Sequence, residues 1–236
     1  MRAGNFSSSE IYKLVKSGRS KDAEFSAAGL TYIQEKKYEQ RLGRQLGNET
    51  NAKATSWGNL MELYVWELKI GLNDYRFEHK TRYKHQTISN WTGCPDMVSD
   101  DKVADIKCPF TLKVYCELVD CDTIEKLKDN KPEYYWQLVS NSILCGKDKA
   151  ELLVFVPYKS ELDDIRTFVD TGDVLFRNGL DQNKYSWLNW AGDEDLPYLI
   201  DGGHYVNLHT FEFEIPQSDK DFLTERVKLA VELLNQ

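Results

Sequence analysis

The chain has 236 residues, 41% hydrophobic and 29% charged, which fits one globular domain with insertions, or two small ones, and leaves enough apolar material for a sizeable core. Its formal net charge of −8 excludes a passive basic coat for nucleic acid, but not an enzyme whose cations gather on one face and whose carboxylates do chemistry. No apolar run approaches the roughly 18 residues of a membrane span, and Met1-Arg2-Ala3-Gly4-Asn5-Phe6 has no apolar signal region, so no membrane association and a cytoplasmic location are expected.

In chain order, Ser7-Ser8-Ser9-Glu10 reads as a helix start that continues through Ile11, Leu14 and Val15 and breaks at Gly18-Arg19-Ser20. Residues 27–46 read as a second, mixed and charged helix. Residues 52–70 read as a third, with Trp57, Leu60, Met61, Tyr64 and Leu68 at helical spacing, and Gly71-Leu72-Asn73-Asp74 ends it. Residues 76–86 alternate and are polar, while 91–98 and 103–108 flank a polar turn, so strands are expected there. Residues 111–119 and 123–128 predict helices. Pro132 opens another, where its missing N–H costs nothing, and that helix runs to Cys145 with Gly146 as its cap. Residues 152–156 are apolar throughout, as expected of a strand covered on both faces. Residues 159–203, with Trp187, Trp190 and a run of acids and glycines, read as an insertion or lid. Residues 204–215 alternate like a strand, and 218–234 form a closing amphipathic helix. This order predicts an α/β fold, a mixed central sheet flanked by helices, in a single domain over 1–236.

The five cysteines are Cys94, Cys108, Cys116, Cys121 and Cys145. They form no CxxC pair and their number is odd, so reduced, mostly buried thiols are expected rather than a zinc site or a disulfide framework. With none beyond residue 145, no C-terminal trio is available for an iron–sulfur cluster.

The stretch from Gly93 to Cys108 carries the chemistry. If it is a hairpin turning at Asp100-Asp101, cross-strand partners sum to 201 and Asp96 falls opposite Asp105, with the two Cβ atoms about 5 Å apart. Asp105 and Lys107 then share a strand face. Like charges directly opposite destabilise a strand pair, and a hard divalent cation between them reverses that sign. A lysine beside the ion orients a water or stabilises charge on a phosphate. A solvated polar hairpin is the plain alternative. Pro95 and the apolar flanks Val98, Val103 and Ile106 argue instead for a partly buried hairpin, where carboxylates need partners. Glu62, in the third helix, is either half exposed or aimed at something. Gln137 shares a polar helix face with Glu133, Ser140 and Asn141, which on its own reads as a solvated face.

Taken together these segments resemble a known family. Asn51-Ala52-Lys53-Ala54-x-x-Trp57-Gly58 followed by Glu62 is similar to the segment leading into the catalytic helix of phage lambda exonuclease and its viral-recombinase relatives, within the PD-(D/E)xK superfamily. Pro95-Asp96 with Asp105-Ile106-Lys107-Cys108-Pro109-Phe110-Thr111 resembles that family's core hairpin, and Tyr134-x-x-Gln137 the helix motif that follows. The order agrees over residues 2–158.

The resemblance implies a restriction-endonuclease-like core and a catalytic set of Glu62, Asp96, Asp105, Lys107 and Gln137. Asp96, Asp105 and the Ile106 carbonyl would ligate Mg²⁺, with Mn²⁺ as the other all-oxygen candidate, and Glu62 would bind directly or through water. Lys107 would position the nucleophilic water, and Tyr134 and Gln137 would orient the site. Arg2-x-Gly4-x-x-Ser7-x-Ser9-Glu10 resembles the segment that holds a DNA 5′-phosphate, with Arg2 and Ser9 at the matching positions.

The implied activity is metal-dependent hydrolysis of double-stranded DNA from the 5′ end in phage-type recombination. The implied partners are duplex DNA ends and a single-strand annealing protein, and the implied assembly is a homo-oligomer, a trimeric ring. Two departures stand out. Asp105 occupies a position where relatives often carry glutamate, and the stretch after Lys159 is outside the resemblance. An endonuclease or single-strand-specific nuclease of the same fold remains open, separated by a circular duplex substrate. So does a non-catalytic DNA-binding assembly factor, against which the survival of all five catalytic-type residues argues.

Overall fold

In the computed structural model, residues 3–19, 23–47, 53–68 and 74–236 are described. Strand β1 (Phe6–Ser7) leads into a 3₁₀ turn, Ser8–Leu14, and then α1 (Ala27–Leu42) and α2 (Lys53–Leu68) follow. The Ser26 side chain accepts from the Gly29 N–H at the start of α1, and Gly43 ends it in the left-handed conformation at φ 66°. The helix therefore stops short of the expected residue 46.

Four short strands come next: β2 (Arg76–Phe77), β3 (Tyr83–Lys84), β4 (Trp91–Gly93) and β5 (Met97–Val98). The longer β6 (Lys102–Lys107) precedes α3 (Leu112–Val119), α4 (Ile124–Asn130) and α5 (Pro132–Cys145). Thr111 and Thr123 cap α3 and α4 by accepting from the N–H groups of Val114 and Lys126. Pro132 opens α5 and Gly146 closes it at φ 64°. Strand β7 (Lys149–Phe155), helices α6 (Leu162–Thr171) and α7 (Asp173–Arg177), strand β8 (Leu208–Glu214) and helix α8 (Gln217–Leu234) complete the chain.

The main sheet has the order β2-β5-β6-β7-β8, parallel between β6 and β7 and antiparallel elsewhere. The three helices between β6 and β7 supply the crossover that a parallel pair requires. A second sheet, β1-β4-β3, takes in the N-terminal segment, with β1 parallel and β3 antiparallel to β4. The expected single stretch 91–98 is thus divided between two sheets, and Cys94-Pro95-Asp96 is the corner. Proline has no N–H to donate to a ladder, so the pairing changes hands there. The stretch 76–86 is likewise two short strands joined by a turn.

Both faces of the main sheet are covered. Val103, Leu152 and Val154 pack with Leu138 and Val139 of α5, Leu223 and Val227 of α8, and Phe6 and Trp91. Ala104, Ile106, Leu153 and Phe155 face the other way, against Trp57, Leu60, Met61 and Tyr64 of α2. The segment 159–203 completes this second cluster with buried Ile165, Phe168, Val169, Leu175, Tyr185 and Leu188. It is built from short helices and 3₁₀ turns, tied by Arg166 to Asp163 and Asp193. Among the described residues no helix is long and apolar enough to cross a membrane. All five cysteines are free, with Cys108 and Cys121 buried.

Candidate active site

The hairpin register is Met97↔Ala104 and Val98↔Val103, so positions sum to 201 and Asp96 comes level with Asp105 just beyond the last pair. The Asp96 carboxylate accepts the Ile106 N–H at 2.7 Å, which clamps the end of β5 to β6. Asp105 is fully buried. Two residues on, on the same strand face, Lys107 Nζ stands 4.0 Å from the Asp105 carboxylate and 5.3 Å from the centre of the Tyr134 ring. Glu62 enters from α2, and the charges that act on it are those of Asp96, Lys107 and Asp105. Gly58, one turn earlier, shares with Glu62, Ile106, Lys107 and Tyr134 a cavity of about 160 Å³.

The electrostatics are those of crowded acids around one lysine. Burial and the Asp105 charge push the Asp96 carboxyl up to about 7, against the pull of Lys107 and the Ile106 N–H. Burial, then Asp96 and Asp105, hold Glu62 well above the usual carboxylate range. Burial raises Asp105 too, opposed by Lys107, the Asp96 backbone and Asn141. Burial works against the Lys107 ammonium, yet Asp105, Asp96 and Glu62 together keep it above the ordinary lysine value. The Cys108 thiol is pushed well up by burial and is inert.

Gln137 lies on the wall of a larger cavity of about 440 Å³, with Asp96, Ser7, Ser9, Thr92 and the half-buried Arg82. Ser9 is exposed, its Oγ 3.2 Å from that of Ser7. Arg2 lies outside the described residues. Lys36, itself buried, also borders this cavity and pairs with Glu39 at 3.1 Å. The Glu39 carboxylate in turn accepts the Gly4 N–H at 3.0 Å, pinning the N-terminal segment to α1.

Ser140 and Asn141, which the sequence alone reads as part of a solvated face, are buried beneath the site. Asn141 Nδ2 donates to both Asp105 oxygens at 3.4 and 3.5 Å, and Ser140 Oγ joins Ser8 Oγ and the Trp91 indole N–H, each at 2.8 Å. The polar stripe of α5 is therefore the backing of Asp105 and the anchor of the N-terminal turn. The available signal was the i, i+3, i+4 spacing of Gln137, Ser140 and Asn141 on one helix face. Gly93 permits this close approach, because a Cβ there would come within 2.2 Å of Ser8 Oγ and 2.5 Å of Asn141 Oδ1. Gly93→Ala is expected to cost about 1–3 kcal/mol of stability and to depress any activity of the site by displacing Asn141. Urea unfolding with a parallel assay checks both, and an unchanged midpoint would contradict the packing.

No protein-family model matches the chain, and no curated protein does. Solved structures do match. An alkaline exonuclease, LHK-Exo, from Laribacter hongkongensis superposes with a TM-score of 0.64 at 16% identity, covering 99% of this chain and 89% of that one. The same enzyme in complex with dAMP gives 0.65 at 14% identity. A phage related exonuclease from Haemophilus somnus 129PT gives 0.63 at 16% identity, over 98% and 94% of the two chains. The fold is thus the one these exonucleases share. At such low identity the likeness establishes the fold, and the chemistry rests on the residues above.

Proposed function

We propose that this chain is a metal-dependent DNA exonuclease acting on duplex ends from the 5′ terminus. The observation that carries the reading is the convergence of Glu62, Asp96 and Asp105 around Lys107 in a fold shared with two exonucleases. Burial raises all three acids, and the Asp105 charge further raises Asp96 and Glu62, which marks a site short of positive charge.

An all-oxygen set fits Mg²⁺ or Mn²⁺. Among the described residues no three His, Cys, Asp or Glu side chains are close enough to hold an ion as one group. Asp96 and Asp105 would therefore hold it as a pair with the Ile106 carbonyl and waters, an arrangement Mg²⁺ favours, and Glu62 would act through water. The bound ion would polarise the phosphodiester and lower the pKa of water.

The chain's own groups do the rest. Asn141 fixes the Asp105 carboxylate, and the Ile106 N–H fixes that of Asp96. The Lys107 ammonium, steadied over the Tyr134 ring, holds the attacking water or the phosphoryl oxygen in line. Gln137 lines the cavity beside Asp96, where the strand would pass. Ser9, with Arg2, would hold the 5′-phosphate.

The test is digestion of 5′-phosphorylated linear duplex against covalently closed circular duplex, with Mg²⁺ and with chelator. Metal-dependent loss of the linear form alone is expected. Cutting of the circle would make the enzyme an endonuclease, and cleavage of neither would overturn the nuclease reading.

A further inference from the structure

The turn between β2 and β3 has features that the catalytic set does not use. Trp66 of α2 stacks on Phe77 with ring centres 5.0 Å apart and planes 7° from parallel. Phe77 stacks on His79 at 4.2 Å and 30°. Three rings thus form a column that starts on α2, four residues after Glu62, and ends at His79 on the wall of the 440 Å³ cavity that also holds Asp96 and Gln137.

The turn is held in register with the site. The Glu78 N–H donates to the Asp96 backbone carbonyl at 2.8 Å, and the Thr81 N–H closes the turn on the Glu78 carbonyl at 2.7 Å. Lys80 reaches away to the Asn178 carbonyl, tying the turn to the segment after β7. Arg82 borders the same cavity, and among the described residues no carboxylate pairs with it. By contrast Lys36, on the same cavity wall, has Glu39, and Arg76 of β2 has Glu78. A ring column that ends at a cavity and an unpaired guanidinium three residues later are the two parts that recognise a nucleotide of any sequence. An aromatic face takes the base and a cation takes the phosphate.

We infer that the 78–82 turn is a nucleotide clamp, in which His79, backed by Phe77 and Trp66, stacks on a base of the strand entering the site and Arg82 pairs with an adjacent phosphate. This rests on the nuclease reading and deepens it, because the clamp is anchored to the backbone of Asp96 and so sets which bond faces the acids. Burial lowers the His79 pKa, so at neutral pH the ring stacks uncharged.

The experiment is a cycle between protein and DNA, read as binding anisotropy in chelator so that nothing is cut. 5′-Phosphorylated duplexes carry a single abasic site at the first, second, third or fourth nucleotide. At one of these positions the abasic site is expected to weaken wild-type binding about tenfold and His79→Ala binding less than about twofold. His79→Phe, which keeps the ring, is expected to retain the full penalty. Arg82→Ala is expected to weaken all the duplexes alike and to lower the salt dependence by about one phosphate contact. Equal abasic penalties in wild type and His79→Ala at every position, with intact binding, would overturn the clamp and leave the nuclease reading standing. Failure of the wild type to bind any duplex end would overturn both. Melting curves confirm that each variant is folded.

Discussion

Lys107→Ala is expected to lower the rate of DNA cleavage by about a thousandfold or more while leaving duplex affinity within a few fold. The expectation comes from where the ammonium sits. It stands 4.0 Å from Asp105, it is the cation that Asp96, Asp105 and Glu62 all respond to, and it shares its cavity with Glu62, Ile106 and Tyr134. In the proposed reaction binding energy would be spread over the wider surface, whereas charge developing at the phosphoryl group would meet this one side chain. Alanine also leaves three acids without their counter-charge, so the variant is expected to be less stable in chelator and to recover partly with Mg²⁺. Lys107→Met fills the same volume and separates loss of charge from loss of packing. Single-turnover cleavage beside a binding isotherm checks the split, and near-normal turnover in either variant would remove Lys107 from the mechanism.

Asp96→Asn is expected to abolish metal-dependent cleavage and yet to stabilise the metal-free protein above neutral pH. The folded-state pKa of about 7 for Asp96 lies above the ordinary aspartate value near 3.9. The folded state therefore binds a proton that the unfolded state has released. Stability of the metal-free protein rises as pH falls from about 7 towards 4, and the ionised carboxylate weakens the fold above 7. Asparagine preserves the shape and can still accept the Ile106 N–H, without the charge. The gain at pH 8 is of the order of 1–3 kcal/mol after discounting for solvent, several degrees of melting temperature for a chain of this size. It should vanish near pH 4. If the site holds Mg²⁺ as proposed, saturating Mg²⁺ should reverse the order, because it would stabilise the wild type by mass action and the variant far less. A variant that melts below the wild type at pH 8 in chelator would show that the Asp96 carboxylate is not under the strain described.

The hairpin was legible because antiparallel partners keep a constant sum, so one assumed turn placed Asp96 level with Asp105. Helix α5 was legible end to end, since proline and glycine act within a residue or two of themselves. The polar face of the same helix is not legible in this way, and on its own it reads as solvated. Ser140 and Asn141 are exposed or buried according to whether Ser8, Trp91 and Asp105 come to meet them, and those partners lie 36 to 132 residues away. The 91–98 stretch gave a similar difficulty, because Pro95 announces a break in pairing but not which sheet each half joins.

By itself the sequence determined the α/β class, the caps and turns, the doubly covered strand β7 and the acids and lysine of the hairpin, all features encoded in periodicity or in residues a few positions apart. Only the tertiary structure decided that α2 brings Glu62 to that hairpin, that α5 backs Asp105 with Asn141, that the 159–203 segment packs on the second core cluster and that the Trp66, Phe77 and His79 rings line up beside Asp96. These are contacts between elements distant in the chain, and their geometry is set by how the sheet is ordered and covered, which no local pattern specifies.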